Sequence, residues 1–229
     1  MGFNVAIDGP AGAGKSTVAK AAAKAAGLIY VDTGAMYRAI GLYLLRKGTD
    51  LHDEKAVEEK LPGIDVSIAY EDGVQKVLLN GEDVSSVIRT QEVGAAASVT
   101  SAYGAVRAKL LDLQRDLAKK QDVVMDGRDI GTNILPDAQL KIYLSASVAV
   151  RAKRRYDELV EKGEEAVLSE VEKEIEERDY RDMHREIAPL KKAEDAVFVD
   201  TSDLTIDQAV KAVLVLIFER KVESEGKDS

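Results

Sequence analysis

The segment that most limits how this chain can fold is Gly9-Pro10-Ala11-Gly12-Ala13-Gly14-Lys15-Ser16-Thr17. It satisfies G-x-x-x-x-G-K-[ST], a pattern that works only where a strand ends, a loop turns and a helix begins. Phe3 to Asp8 is an apolar run ending at Gly9, as a buried strand would be. Ser16 to Ala26 is a run of strong helix formers closed by Gly27. Glycines let backbone N–H groups turn toward phosphate oxygens, and the helix behind them adds its N-terminal partial charge. Lys15 suits the β- and γ-phosphates of a nucleoside triphosphate, and the Ser16 hydroxyl suits Mg²⁺, with Thr17 beside it as an alternative. The bare pattern arises by accident in roughly one chain in a hundred, and the flanking strand and helix make accident rarer. Residues Gly9 to Thr17 are therefore the expected triphosphate site.

Strand and helix signals alternate along the rest of the chain. Leu28 to Val31 and Ala196 to Val199 read as strands, as do the apolar runs Asp122 to Asp126 and Leu140 to Leu144. Helical patterns cover Thr33 to Arg46, Ser101 to Lys119, Ser147 to Lys162, Leu168 to Met183 and Thr205 to Phe218, with a polar tail from Glu219 expected to fray. From about His52 to Ala97 the period changes to two, in Ile64 to Ile68 and Val74 to Leu79, with Asn80-Gly81 as a hairpin signal. The fold class that follows is α/β, a P-loop NTPase-type parallel sheet flanked by helices and carrying a β-rich insertion.

Composition narrows the function. The chain has 229 residues, no cysteine and a formal net charge of −9. Thiolate chemistry and disulfides are excluded. An acidic surface argues against a nucleic-acid partner. No run of 18 or more apolar residues offers a membrane span. The start shows no signal peptide, and Ala6 stands where myristoylation needs Ser or Thr. A cytoplasmic location is expected.

Several polar positions admit two readings. Arg38 and Arg107 could bind an anion or simply be solvated on their helices. Asp126, ending an apolar strand, could support Mg²⁺ directly or through water, or could cap the next loop. Arg151-Ala152-Lys153-Arg154-Arg155 places three arginines at i, i+3 and i+4, and Arg178, Arg181, Asp182 and Arg185 share another face. Those faces could form ion-paired surface helices, or a mobile lid that stabilises charge on a phosphoryl group in transfer and excludes water. The N-K-x-D base-reading motif of GTPases is absent. Asp32-Thr33-Gly34 occurs once, in an α/β context foreign to aspartic proteases.

Gly9 to Thr17, Asp32-Thr33-Gly34-Ala35-Met36-Tyr37-Arg38, Ile88-Arg89-Thr90-Gln91-Glu92-Val93, Asp126-Gly127-Arg128-Asp129-Ile130-Gly131-Thr132 and Arg178-Asp179-Tyr180-Arg181-Asp182 occur in that order. Together they resemble the bacterial cytidylate kinases, from about Val5 to Val210. The resemblance implies ATP-dependent phosphorylation of CMP or dCMP with Mg²⁺, held by Ser16 and Asp126. It implies that Thr33, Tyr37, Arg38, Arg128, Arg178, Asp182 and Arg185 bind the monophosphate and its sugar. Ser98, Arg107 and Asp129 would read cytosine. Lys15, Arg128, Arg154 and Arg155 would act on the transferred group. A single monomeric kinase chain is expected, with a core at about 1–50, 100–150 and 186–220. The monophosphate-binding insertion would span 51–99 and the helical lid 151–185. Another acceptor, such as UMP or AMP, and a nucleotide-dependent binding switch remain as alternatives.

Overall fold

The computed structural model describes residues 2–226. In chain order the elements are β1 (Asn4–Asp8), α1 (Lys15–Ala26), β2 (Ile29–Asp32), α2 (Thr33–Arg46), α3 (Glu54–Lys60), β3 (Val66–Glu71), β4 (Val74–Leu79), β5 (Glu82–Asp83), α4 (Gln91–Thr100), α5 (Gly104–Lys120), β6 (Val123–Gly127), β7 (Leu140–Ser145), α6 (Val148–Glu161), α7 (Leu168–His184), β8 (Val197–Asp200) and α8 (Ile206–Glu225). The chain divides into two compact units, one of residues 29–123 with Gly2, the other of residues 3–28 and 124–226.

The second unit is the P-loop unit. Its strands stand in the order β6-β1-β7-β8. β1 and β7 run parallel with Val5 opposite Leu140, and β7 and β8 run parallel with Ile142 opposite Val197. Val5, Ala6, Ile7, Val124 and Met125 are fully buried, which is why their runs read as continuous rather than alternating. Helix α1 packs on α8. Helices α6 and α7 form a hairpin around a small core of Ala152, Leu159, Val171 and Ile175. Of the tail expected to fray, residues 227–229 lie outside the described residues, and helix α8 continues past Phe218 to Glu225. Its start is fixed by a capping box in which the Thr205 and Gln208 side chains bond each other's backbone N–H.

The 29–123 unit holds a small antiparallel sheet, β3-β4-β5. The long hairpin turns at Asp72-Gly73, and Asn80-Gly81 makes the next turn, all four residues having positive φ. Two helices, α3 and α4, lie in the stretch read as β-rich. Asp53 caps α3 and Thr90 caps α4, each accepting backbone N–H bonds. Met36, Ile40 and Leu44 on α2, with Ile88 and Leu110, are fully buried in this unit. Gln75 on β4 accepts from the Asp32 N–H and donates to the Asp32 carbonyl, at 2.8 and 3.2 Å, which ties the small sheet to the end of β2. Among the described residues, no helix is long and apolar enough to cross a membrane.

Candidate active site

The phosphate loop joins β1 to α1. A Cβ on Gly9 would lie 2.0 Å from the Leu144 carbonyl oxygen, so no other residue fits where the loop leaves the sheet. Gly14 begins α1 without a side-chain cap. The first N–H groups of that helix therefore lack a side-chain acceptor, as an anion site requires. Lys15 is buried and its Nζ donates to the Pro10 carbonyl at 2.7 Å. Burial first, then the like charge of Arg128, holds its pKa well below the usual lysine range, against the pull of Asp126. A phosphate arriving here would supply the counter-charge that Lys15 needs.

Of the two adjacent hydroxyls, that of Ser16 meets the strand acid. Its Oγ donates to Asp126 Oδ2 at 2.8 Å. Two hard oxygens side by side fit Mg²⁺, which takes one or two protein oxygens and completes its shell with water and phosphate. No cluster of three or more His, Asp or Glu occurs among the described residues that could cage a metal by itself.

Beyond β6 the chain makes one π-helical turn, Ile130–Ile134. Asp8, at the end of β1, fixes it by accepting the N–H groups of Ile130 and Gly131, both at 2.8 Å. Burial pushes the Asp8 carboxyl up to about 6, with those two donors partly offsetting. Arg128 and Asp129 lie between the end of β6 and this turn. Arg128 Nε donates to Asp182 at 2.9 Å, and Arg185 Nη2 donates to Asp129 at 3.2 Å. Asp182 is buried, which raises its pKa, yet Arg128, Arg178 and Arg185 together hold it below the usual carboxylate range. The unit thus gathers Lys15, Ser16, Asp126, Arg128, Asp129, Arg178, Asp182 and Arg185 into one charged network. Such a cluster in an acidic protein suits a second, phosphate-bearing ligand.

Arg154 and Arg155 stand apart from that network. Arg154 bonds the Thr201 hydroxyl and carbonyl, at 3.2 and 2.7 Å, and Arg155 pairs with Glu158 at 2.9 Å. The arginine of this run that reaches the phosphate loop is Arg151, which donates to the Ala11 carbonyl at 2.8 Å and pairs with Asp179. The i, i+3, i+4 spacing could not tell which of the three faces the loop.

In the 29–123 unit, Thr33 is buried at the start of α2. The Arg107 guanidinium lies 5.6 Å from the Tyr37 ring centroid, and its Nη1 donates to the Ser101 carbonyl at 3.2 Å. Ser98 Oγ is buried without a hydrogen-bond partner among the described residues. Arg38 donates to the carbonyls of Ile88 and Thr90, at 3.1 and 3.3 Å. Asp32 caps α2 through the Ala35 N–H and pairs with Arg89, both at 2.9 Å, which accounts for the lone D-T-G structurally.

The chain matches the cytidylate kinase family over residues 5–219. It is 52% identical over 219 residues to a cytidylate kinase of Lactobacillus johnsonii, covering 96% of this chain and 95% of that one. It is 50% identical over 217 residues to a cytidylate kinase of Caldicellulosiruptor saccharolyticus, covering 95% and 96%. Among solved structures, a shikimate kinase of Acinetobacter baumannii in complex with shikimate aligns over 96% of both chains with a TM-score of 0.48 and 17% identity.

Proposed function

The chain belongs to the cytidylate kinase family, and from that premise we propose that it transfers the γ-phosphoryl group of ATP to CMP or dCMP, giving ADP and CDP or dCDP. The observation that carries this reading is the neighbourhood of a phosphate loop and an arginine-rich network in one unit, with Lys15 buried beside Arg128. Gly9, Pro10, Ala11, Gly12, Ala13, Gly14, Lys15, Ser16 and Thr17 hold the triphosphate. Thr33, Tyr37, Arg38, Ser98, Arg107, Arg128, Asp129, Arg178, Asp182 and Arg185 are the proposed CMP contacts.

The reaction needs positioned charge more than covalent chemistry. A monophosphate has its second pKa near 6, so at pH 7 the acceptor oxygen is already an anion and no general base is required. Arginines that fork onto phosphate oxygens fix the acceptor for in-line attack. Lys15 and Arg128 stabilise charge on the group in transit. Arg154 and Arg155, bonded to Thr201 and Glu158 in this structure, would join them only by leaving those partners as the α6–α7 hairpin closes as a lid. Magnesium, held through Ser16 and Asp126, would neutralise phosphate charge. Asp129 is suited to accept from the exocyclic amine of cytosine, where a uracil carbonyl would leave polar groups unpaired. A cytoplasmic monomer without a nucleic-acid partner completes the reading, and light scattering well above 24.8 kDa would remove the monomer.

The test is ADP production from ATP and Mg²⁺ with CMP, dCMP, UMP, AMP or dTMP supplied separately. Turnover confined to CMP and dCMP is expected. A preference for another acceptor would keep the kinase and discard the cytosine-reading residues. Silence with all five would overturn the proposal.

A further inference from the structure

The phosphate loop is gripped at one residue, Ala11, by side chains of α6 and α7. Asp179 Oδ1, on α7, accepts the Ala11 N–H at 3.1 Å. Arg151 Nη1, on α6, donates to the Ala11 carbonyl at 2.8 Å and to Asp179 Oδ2 at 2.5 Å, while its Nε donates to the Ala146 carbonyl at 2.8 Å. Both backbone groups of Ala11 are thus taken up by one ion pair, whose side chains are 5% and 9% exposed. The next residue shows how tight the contact is. A Cβ on Gly12 would lie 3.2 Å from Arg151 Cβ and 3.6 Å from Ile175 Cδ1, on a backbone already at φ +73°.

A buried ion pair is a poor fastener. Its desolvation cost is often matched or bettered by apolar residues of similar volume. What apolar residues cannot do is bond both the N–H and the C=O of one loop residue in fixed directions. We infer that Arg151 and Asp179 are positioning residues for ATP, which hold Ala11 so that the phosphate loop keeps its binding curvature and joins it to the α6–α7 hairpin. This rests on the ATP half of the proposed function and is independent of the acceptor. The pair's hydrogen bonds go to Ala11 and Ala146 and not to the Ser16–Asp126 site, while the proposed CMP contacts Arg178 and Asp182 share α7 with Asp179. Because its bonds go to the phosphate loop, its loss should act chiefly on ATP and only slightly on CMP.

The experiment is calorimetric titration of ATP and, separately, of CMP into the full-length protein, with a thermal melt of each variant. Single removal would bury a lone charge, so the chief variant is the double Arg151→Met/Asp179→Leu, with Arg151→Lys as a milder second. Lys153→Ala, which loses an exposed pair with Asp157 on the same helix, is the control. Losing charge-assisted hydrogen bonds to the loop should weaken ATP binding about tenfold. CMP affinity should change by less than about twofold, and the melt should stay cooperative. Wild-type ATP affinity in the double variant, or equal weakening of ATP and CMP, overturns the inference. If the double variant fails to fold, Arg151→Lys is judged by the same two outcomes. Should the wild type bind ATP but phosphorylate no CMP, the proposed reaction falls while this test still reads.

Discussion

Lys15 sits where a lysine is costly to keep until a phosphate arrives. Its pKa is held well below the unfolded value by burial, so between the folded and unfolded pKa values the unfolded chain binds the extra proton, and stability rises with pH through that window. At neutral pH the ligand-free protein bears this cost. Lys15→Met is therefore expected to leave the ligand-free melting temperature equal or higher, while transfer falls by about 100- to 1,000-fold. Melting at pH 7 and initial rates check both halves, and a marked loss of stability would refute the first. Asp8 carries the opposite shift. Its carboxyl rises from 3.8 to about 6 on folding. The folded chain then holds a proton that the unfolded chain has lost, so the contribution is present at low pH and fades as pH climbs from about 4 to 6. A shift of this size is worth about 3 kcal/mol. Denaturant titrations at several pH values should show wild type losing that much relative to Asp8→Asn across this window; a flat difference would contradict it. The motif at 9–17 was legible from residue types alone. The role of Asp8 was not, because its partners Ile130 and Gly131 lie 122 and 123 positions away.

At the scale of elements, local signals were read well where periodicity is strong and missed where composition is bland. Helix α2 starts and stops as the pattern indicated, because Asp32 caps it and an apolar stripe runs its length. Helix α4 was absorbed into a β-rich stretch, since Gln91 to Thr100 offers glycine, alanine and serine rather than a wide apolar face. Its Thr90 cap was the available signal. Gly94 shows why the bland composition matters. A Cβ there would stand 2.9 Å from Arg38 Nη1, so glycine makes room for that guanidinium. Alanine is otherwise the better helix former, by about 1 kcal/mol, and the atom it meets is the tip of a flexible side chain. Gly94→Ala is accordingly expected to fold normally while displacing Arg38. Steady-state kinetics should show KM for CMP raised roughly tenfold, as misplaced anchoring groups produce, with KM for ATP unchanged. Equal KM values for CMP in variant and wild type would show that Arg38 does not hold the acceptor.

For the whole molecule, the decisive links are long-range. Ser16 reaches Asp126 across 110 positions, and Ala11 reaches Asp179 across 168. The P-loop unit is built from residues 3–28 and 124–226, with the other unit's sequence lying between them. Sequence patterns of period two or 3.6 report neighbours on a strand or helix and carry nothing about such pairings. That is why the fold class and the motif residues were legible, and the clasp on Ala11 was not. The proposed ligands share α7, but residues 9–17 are assigned to the triphosphate alone and residues 94–107 to CMP alone, so the two can be mapped separately. A ligand at about 100 times its Kd stabilises what it binds by about 2.7 kcal/mol, which would slow protected amide exchange by up to about a hundredfold in native-state hydrogen exchange. With ADP alone, slowing is expected in residues 9–17 and in the α6–α7 hairpin, and not in 94–107. With CMP alone, it is expected in residues 33–41 and 94–107, where Tyr37, Ser98 and Arg107 lie, and not in 9–17. Protection of 94–107 by ADP rather than by CMP would take cytosine recognition away from Ser98 and Arg107, whatever the acceptor assay reports.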